Sequence, residues 1–273
     1  MGLLSNCHAS IVDFLVGMVE GESRGTAMTT ELTFLGGSGF RFRSEDTCLL
    51  VDPYWGGAPR KGIDRRQEPP FPVQDLYDSQ YVLSTHAHLD HCDPRLLRLL
   101  HDNTLSQFIG PRSSVEVMTA AGLTEQRIVT AEAGDSFSLG DFSVVAGPGN
   151  DPLEPQAVTF HITHADITIF HSGDSLYSDL YKRASEQFPV DVALLNYGRE
   201  LYMAADDVIR AAQDLGCRIC IPMHWDLWEQ FYEPPDALTG QYSKAPFKIV
   251  TLWSGDSIRL SKSKQGEFNI ETL

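Results

Sequence analysis

The alternation of hydrophobic and polar positions predicts β-hairpins in the first clearly patterned part of the chain. Strands are expected at 31–35, 40–43 and 47–52, with a Gly-Gly-Ser-Gly turn at 36–39. This turn lacks the Lys-Ser/Thr ending and the following helix of a phosphate-binding loop, so a hairpin turn is the better interpretation. The segment 56–72 is rich in Pro, Gly and charged residues and predicts a surface loop.

Beyond residue 80, apolar runs typical of strands alternate with helical patterns. Strands are predicted at 80–85, 107–110, 128–130, 136–139, 142–146, 157–162, 167–171, 190–195, 218–223, 247–252 and 257–260, and helices at 94–101, 113–121, 176–187 and 204–215. Asp93 is expected to cap the first helix, and Gly216 to end the last. Periodicity alone gives an α/β domain. The chain twice shows hairpins followed by alternating strands and helices. This order suggests two sheets with helices outside both, a four-layer αββα sandwich.

One domain, 29–273, is expected for a chain of 273 residues. Residues 1–28 are interpreted as an appendage, either a short helix or disordered. The apolar stretch 9–19 is interrupted by Asp13 and has no preceding Lys or Arg, unlike a signal peptide, and it is too short to span a bilayer. Met28, directly before the first strand, offers an alternative start.

Charge and cysteine content narrow the partners and the compartment. There are 37 acidic against 21 basic residues, a formal charge of −16, which disfavours nucleic acids and anionic membrane surfaces. A small-molecule substrate is expected, and an anionic one is not excluded, because the local field of a metal site can oppose the global charge. Assembly into a homo-oligomer is left open. The 5 cysteines form a sparse, odd set without a disulfide framework, which favours a cytoplasmic location. Cys217 and Cys220 are expected to be core residues.

The string THAHLDH at 85–91 is the most informative feature of the sequence. His86 and His88 lie two residues apart at a strand end, so both imidazoles point to the same side. The chain then turns, and Asp90 and His91 can approach the same point from another direction. Three imidazoles and a carboxylate are donors that zinc, manganese or iron accept. The string predicts a metal site.

Two later strand ends supply further candidate donors. The sequence HSGD at 171–174 closes an apolar strand and places Asp174 where a carboxylate could bridge two metals. The sequence IPMHWD at 221–226 ends another buried strand and places His224 at the same rim. A Gly-Asp pair before a helix can also be a turn with an N-cap. The two candidates support each other because both stand directly after a buried strand.

Together, THAHLDH, HSGDSLYSDLY at 171–181 and IPMHWDLW at 221–228 resemble the metallo-β-lactamase superfamily, and within it the L-ascorbate-6-phosphate lactonase branch. The similarity runs over 34–260 and implies the four-layer αββα fold of that superfamily. It also implies one or two divalent metal ions per chain, Mn²⁺ or Zn²⁺, with this ligand set: His86 and His88 for the first metal, Asp90, His91 and His224 for the second, and Asp174 bridging.

The chain departs from the superfamily pattern after the strand at 142–146. Many members have a histidine there that completes the first metal site, whereas this chain reads Gly-Pro-Gly-Asn-Asp at 147–151. Asp151 is the candidate substitute, with Asn150 or a water as alternatives. An oxygen-richer site would favour manganese more than an all-histidine site does. The segment 151–158 is also shorter than in the lactonases.

The residues around these motifs receive supporting roles. Asp52 could hydrogen-bond a ligating histidine. Four side chains after strand ends are candidate substrate contacts: Tyr177, Trp225, Asp226 and Trp228. The remaining histidines are interpreted as surface or core residues and not as ligands: His8, His101, His161 and His164.

The predicted function is a metal-dependent hydrolase in which a metal-bound hydroxide attacks a lactone or related ester. Asp90 and Asp174 would fix the metals and accept a proton from the water. The alternative is a phosphodiesterase acting on a small nucleotide or a phospholipid-type substrate. A third hypothesis is a metal-stabilised scaffold without catalysis.

Overall fold

A computed structural model describes residues 28–57, 62–242, 244–263 and 265–273. The expected appendage therefore lies outside the described residues, apart from Met28. In the described part, no helix combines the length and the hydrophobicity that a membrane crossing requires.

Within the described residues, fifteen strands form two sheets, as the alternation of patterns predicts. The first sheet has the order β15-β14-β1-β2-β3-β4-β5-β6 and the second β13-β12-β11-β10-β9-β8-β7. The strands of the first sheet are β1 (Thr29–Gly36), β2 (Gly39–Arg43), β3 (Cys48–Val51), β4 (Tyr81–Leu83), β5 (Gln107–Gly110), β6 (Ile128–Thr130), β14 (Ser257–Lys262) and β15 (Phe268–Thr272). Those of the second are β7 (Ser136–Leu139), β8 (Phe142–Pro148), β9 (Val158–His164), β10 (Ile167–His171), β11 (Val192–Asn196), β12 (Ile219–Met223) and β13 (Lys248–Ile249).

Helices cover the outer face of each sheet. The described helices are α1 (Pro94–Asn103), α2 (Arg112–Ala120), α3 (Leu180–Gln187), α4 (Ala205–Leu215) and the short α5 (Asp236–Gln241). Leu100 of α1 and Met118 of α2 pack on Val82 of the first sheet. On the other side, Ala211 of α4 packs in a cluster with Ala193 of the second sheet. A third cluster fills the space between the sheets. The predicted four-layer αββα sandwich is confirmed.

The predicted capping and turn residues act as expected. The Asp93 carboxylate accepts hydrogen bonds from the backbone N–H groups of Arg95 at 2.9 Å and Leu96 at 3.2 Å, which caps α1. Gly216 ends α4 with φ +64°. The glycine turn between β1 and β2 also forms.

Several boundaries differ from the prediction. The helix expected at 176–187 begins only at Leu180, because the backbone N–H of Leu176 donates to the carbonyl of Asn150 at 2.9 Å and the segment before α3 belongs to a turn. The strand expected at 247–252 is limited to Lys248–Ile249. Strand β15 was not predicted, because it lies at a sheet edge and its residues are exposed or half-buried.

Parallel strands prepare one edge of each sheet for a site. Strands β3 and β4 run parallel in the first sheet, and β10, β11 and β12 run parallel in the second. The carboxyl ends of parallel strands meet at a common edge, where α/β sheets place binding residues. The predicted metal-binding segments follow β4, β10 and β12.

Two neighbouring leucines of α1 test the helix-to-sheet packing. Leu100 is fully buried against the first sheet, whereas Leu99 is 40% exposed. Leu100→Ala is expected to lower the free energy of unfolding by about 2–5 kcal/mol, because it leaves a cavity. Leu99→Ala should change it by no more than about 0.5 kcal/mol. Urea denaturation measures both, and equal effects would contradict the assigned face of α1.

Candidate metal centre

The first group of donor atoms comes from the loop after β4 and the loop after β8. His86 Nε2 lies 2.9 Å from His88 Nδ1. The Asp151 Oδ2 atom lies 3.8 Å from His86 Nε2 and 3.9 Å from His88 Nδ1. The imidazole of His86 is fully buried, whereas that of His88 is 38% exposed. These three residues can hold one cation.

The second group combines the histidine string with the end of β12. His91 Nε2 lies 3.3 Å from His224 Nε2, and Asp90 Oδ2 lies 3.2 Å from the same His224 atom. These three residues come from opposite sheets and form a second candidate group.

Asp174 lies between the two groups. Its Oδ2 atom is 3.9 Å from His86 Nε2 and 3.3 Å from His91 Nε2, and its Oδ1 atom is 3.7 Å from His224 Nε2. One carboxylate therefore reaches donors of both groups, which is the position of a bridging ligand.

The donor set fits divalent cations. Two ligands that each lie about 2.1 Å from a tetrahedral ion are about 3.4 Å apart, close to most of the separations here. Asp151 Oδ2 and Asp174 Oδ1 are buried and have no hydrogen-bond partner in the described residues. Buried carboxylate oxygens without a partner are costly unless a cation neutralises them. Imidazole and carboxylate are also the donors that zinc and manganese take. The seven predicted ligands thus share one cluster, and their ligation of metal stays a prediction.

Burial and neighbouring charges shift the pKa values of the imidazoles and carboxylates in the cluster. Burial and the neighbouring His91 lower the pKa of His86 to about 3, so its imidazole is neutral, as a metal ligand must be. For Asp174, burial alone would raise the pKa, but His91 and His224 hold it below its ordinary range. The pKa of Asp90 is lowered in the same way. These two carboxylates are therefore anionic beside the imidazoles.

Asp52 contacts the histidine string through hydrogen bonds, as the sequence predicted. Its fully buried carboxylate accepts hydrogen bonds from Thr85 N at 2.7 Å and Thr85 Oγ1 at 2.6 Å, and it lies 2.8 Å from His91 Nδ1. The bond to Nδ1 leaves His91 Nε2 free to face the cluster. Asp52 itself has φ +46°, a left-handed conformation that turns the chain directly after β3.

The glycine turn between β1 and β2 holds the end of β12. The carbonyl of Gly37 accepts the backbone N–H of His224 at 2.7 Å, and the Asp226 carboxylate accepts the N–H of Gly37 at 3.1 Å. Gly37 has φ +63°, and a Cβ there would lie 2.9 Å from Leu227 Cδ2. This conformation and the close approach of Leu227 favour glycine in the turn, which holds the backbone of a proposed ligand on the opposite sheet.

The four predicted substrate contacts stay a prediction, and the structure gives each of these side chains a packing or hydrogen-bond partner within the protein. The Tyr177 hydroxyl donates to Asp214 on α4 at 2.9 Å, on the outer face of the second sheet. Trp225 is fully buried in the hydrophobic cluster of the second sheet, and its ring packs edge-on against Trp253 with 4.9 Å between centroids. Trp228 is also buried, and its indole N–H donates to Asp90 Oδ2 at 3.0 Å, so it steadies a proposed ligand. Asp226 is buried and is bound to the glycine turn. The aromatic side chains after these strand ends are therefore packed against other residues of the protein.

Tyr202 is a site residue that the sequence did not single out. Its ring packs on the His224 imidazole with 4.1 Å between centroids. Burial and the charges of Asp174, Asp90 and Asp151 raise its pKa well above the ordinary value, so the hydroxyl is neutral. Tyr202 lies in the loop after β11, the parallel strand between β10 and β12. That strand position was the available signal.

The histidines and cysteines expected to play no part lie elsewhere. His101 contacts Asp102 and Thr124 on the surface of the helical layer, and His164 contacts Thr30. His161 packs between two phenylalanine rings. The four described cysteines, including Cys217 and Cys220, are buried free thiols. His8 lies outside the described residues.

A family model described as "Beta-lactamase superfamily domain" matches residues 47–225, more than half of the chain. The chain belongs to this superfamily. Both the motif resemblance and the fold expectation are thereby confirmed. The matched segment contains every proposed ligand of the metallo-β-lactamase centre, from His86 to His224.

Relatives within the superfamily include a protein of Escherichia fergusonii named "Probable L-ascorbate-6-phosphate lactonase UlaG". It is 27% identical over 195 residues, which cover 62% of this chain and 54% of that protein. The chain thus spans about half the length of this relative.

Solved structures with the same metallo-β-lactamase fold include hydrolases of different kinds. Igni18, a metallo hydrolase from the archaeon Ignicoccus hospitalis, has a TM-score of 0.72 at 19% identity, covering 86% of this chain and 100% of that one. An isothiocyanate hydrolase from Delia radicum gut bacteria also has a TM-score of 0.72, at 17% identity, covering 83% of this chain and 97% of that one. At these identities the likeness shows the fold alone.

Asp52→Asn tests the support of the centre. The amide removes the negative charge opposite His91 Nδ1, and metal affinity is expected to fall about 10–100-fold. Competition with a chromogenic chelator measures the affinity, and circular dichroism verifies the fold. Asp102→Asn, at an exposed ion pair on α1, is the control and should leave affinity unchanged. Equal affinities for both variants would show that Asp52 does not support the metal ligands.

Proposed function

We propose that this protein is a hydrolase that depends on two divalent metal ions and opens a lactone or a related ester. The observation that carries the proposal is that two donor groups lie side by side and that Asp174 is within reach of His86 in one and of His91 in the other. His86, His88 and Asp151 would hold one ion. Asp90, His91 and His224 would hold the other.

Such ions, when bound, would supply Lewis-acid chemistry that activates a water for attack and polarises a carbonyl group. The side chains of the protein hold the reacting groups in position and accept the proton that the water loses. Asp174 and Asp90 are the anionic groups that can take up the proton of the attacking water. Trp228 donates to Asp90 Oδ2 at 3.0 Å and so keeps that carboxylate in one orientation.

Tyr202 supplies a neutral O–H group beside the centre. Because its pKa is raised by burial and by three carboxylates, the hydroxyl stays protonated and can donate a hydrogen bond. A donor aimed at the oxygen that gains negative charge stabilises the transition state of acyl transfer. We assign this role to Tyr202.

The ligand set bears on the metal. Asp151 contributes a carboxylate to the first group where many superfamily members have a histidine. A group with two imidazoles and two carboxylates accepts manganese more readily than a group of imidazoles alone, while zinc fits both. The lactone or ester substrate is supported by the resemblance to the Escherichia fergusonii relative, which is named as a probable lactonase. Phosphodiesters are the competing substrate class, because the same water could attack phosphorus.

Metal analysis tests the proposed centre. Protein purified without chelators is expected to hold two ions per chain by elemental analysis. Asp151→Ala should reduce this to about one, because the first group loses one of its two carboxylates. Glu154→Ala, in the same loop but outside the donor groups, is the control.

The same preparations test the activity. Removal of metal should abolish lactone hydrolysis, and Mn²⁺ or Zn²⁺ should restore it. Turnover that survives complete metal removal would overturn the proposal. Hydrolysis of a bis-aryl phosphodiester in preference to every lactone would replace it with the phosphodiesterase alternative.

Tyr202→Phe tests the hydroxyl group. It is expected to lower kcat on the order of 100-fold with little change in KM and none in metal content, because the donor acts on charge that develops in the transition state. Tyr177→Phe is the matched control, since its hydroxyl binds Asp214 on the helical face. A Tyr202→Phe enzyme with the kcat of the parent protein would remove this residue from the mechanism.

A further inference from the structure

His161 lies in the middle of β9 and points away from the space between the sheets. Its neighbours Phe160 and Ile162 belong to the hydrophobic cluster between the sheets, and successive side chains of a strand point to opposite faces. The His161 ring therefore lies on the outer face of the second sheet. There it packs between the rings of Phe170 and Phe188, with 4.9 Å between centroids in each case, and the residue is only 3% exposed.

The buried imidazole of His161 has no internal hydrogen bond. Neither of its ring nitrogens meets a partner in the described residues. Two other buried histidines do have partners: His164 Nδ1 lies 2.8 Å from Thr30 Oγ1, and His171 Nε2 donates to the carbonyl of Ser38 at 2.8 Å. A buried polar group without a partner costs free energy, so the His161 ring is a site where a ligand can supply the missing bond.

The same imidazole lines a cavity of about 300 Å³ between β8, β9 and α3. Leu180 and Ala184, one helical turn apart on α3, form an apolar wall together with Pro148 of β8. A single water molecule needs only about 15 Å³ of such space, whereas binding pockets for small molecules begin at roughly 300 Å³. The cavity therefore has room for a small organic molecule.

Gly147 keeps one side of the imidazole open to this cavity. A Cβ atom at this position of β8 would lie 3.9 Å from His161 Nδ1 and only 2.6 Å from Thr159 Oγ1. Any longer side chain would occupy the space next to the ring. The glycine thus leaves His161 Nδ1 accessible from the cavity.

The charges of the lining favour a neutral ligand. Burial lowers the pKa of His161 to about 4, so at neutral pH the ring is uncharged and offers one N–H donor and one acceptor nitrogen. Arg183 is the one charged residue of the described lining, and its exposed guanidinium lies 2.8 Å from Asp179. An anion would have to compete with Asp179 for that guanidinium, whereas a hydroxyl group can bond to either nitrogen of His161.

We propose that this cavity binds a small neutral molecule with an apolar body and a hydroxyl group, which forms a hydrogen bond with His161. The described lining includes none of the seven donor residues of the candidate metal centre. The site is therefore a second binding site, and it does not depend on the proposed hydrolase function.

Three probes of similar shape test the ligand class: benzyl alcohol, toluene and benzoate. NMR titration of the full chain follows the imidazole resonance of His161, which is assigned by its absence in the His161→Phe variant. Benzyl alcohol is expected to shift this resonance saturably. Toluene should bind about tenfold more weakly because it cannot form the hydrogen bond, and benzoate should bind more weakly than benzyl alcohol.

His161→Phe separates a ligand-binding role from a structural one. Phenylalanine fits the same place between two aromatic rings and has no polar atoms to satisfy, so the melting temperature should not fall below that of the parent. The tenfold preference for benzyl alcohol over toluene should disappear. His164→Phe is the matched control: it removes the contact with Thr30, should lower the melting temperature and should leave the preference unchanged.

Ala184→Met fills the cavity from the helix side and should weaken the binding of benzyl alcohol and toluene alike by at least about tenfold. The absence of a saturable His161 shift with benzyl alcohol in the parent protein would overturn the proposal. Tighter binding of benzoate than of benzyl alcohol would refute the neutral ligand class. An undiminished preference for benzyl alcohol in His161→Phe would refute the role of the imidazole.

Discussion

The buried carboxylate of Asp52 is the interaction on which the centre depends. A charge without solvent contact must be fully paired, and Asp52 achieves this with the backbone and side chain of Thr85 and with the imidazole of His91. These contacts join the end of β3 to the end of β4 and fix the direction of the histidine string. The string itself contains few hydrophobic residues that could hold it by packing, so these polar contacts, together with the Trp228 hydrogen bond to Asp90, carry much of its geometry.

A second constraint is that the centre belongs to neither sheet alone. His86, His88, Asp90 and His91 follow β4 of the first sheet, whereas Asp151, Asp174 and His224 follow strands of the second. The hydrophobic cluster between the sheets sets their separation, and that separation sets the distances between ligands. Metal binding would therefore report on the packing of the whole sandwich, and bound ions would in turn add to its stability.

Much of this arrangement follows from local sequence. The histidine string, Asp174 and His224 stand directly after apolar strands, so topology alone brings them to one edge. The Asp93 cap and the Gly216 terminator also depend only on neighbouring residues. Asp151 was harder to assign, because its role depends on a missing histidine and not on a pattern of its own.

The features that escaped prediction depend on tertiary packing. Nothing local distinguishes Tyr202 from Tyr177, yet one packs on an imidazole of the centre and the other binds a helix on the far side. Trp228 is likewise a hydrogen-bond donor to Asp90 only because β12 and the histidine string meet. The late start of α3 has the same origin, since Leu176 is bonded to the loop that carries Asp151.

The hydrogen bond from the His224 N–H to the Gly37 carbonyl has a consequence for biosynthesis. It joins a hairpin near the beginning of the patterned chain to a strand end 187 residues later. The six other candidate donors precede β12 in the chain and are therefore synthesised before it. If they bind metal as proposed, an incomplete chain would offer cations only part of the ligand set until residue 224 is added.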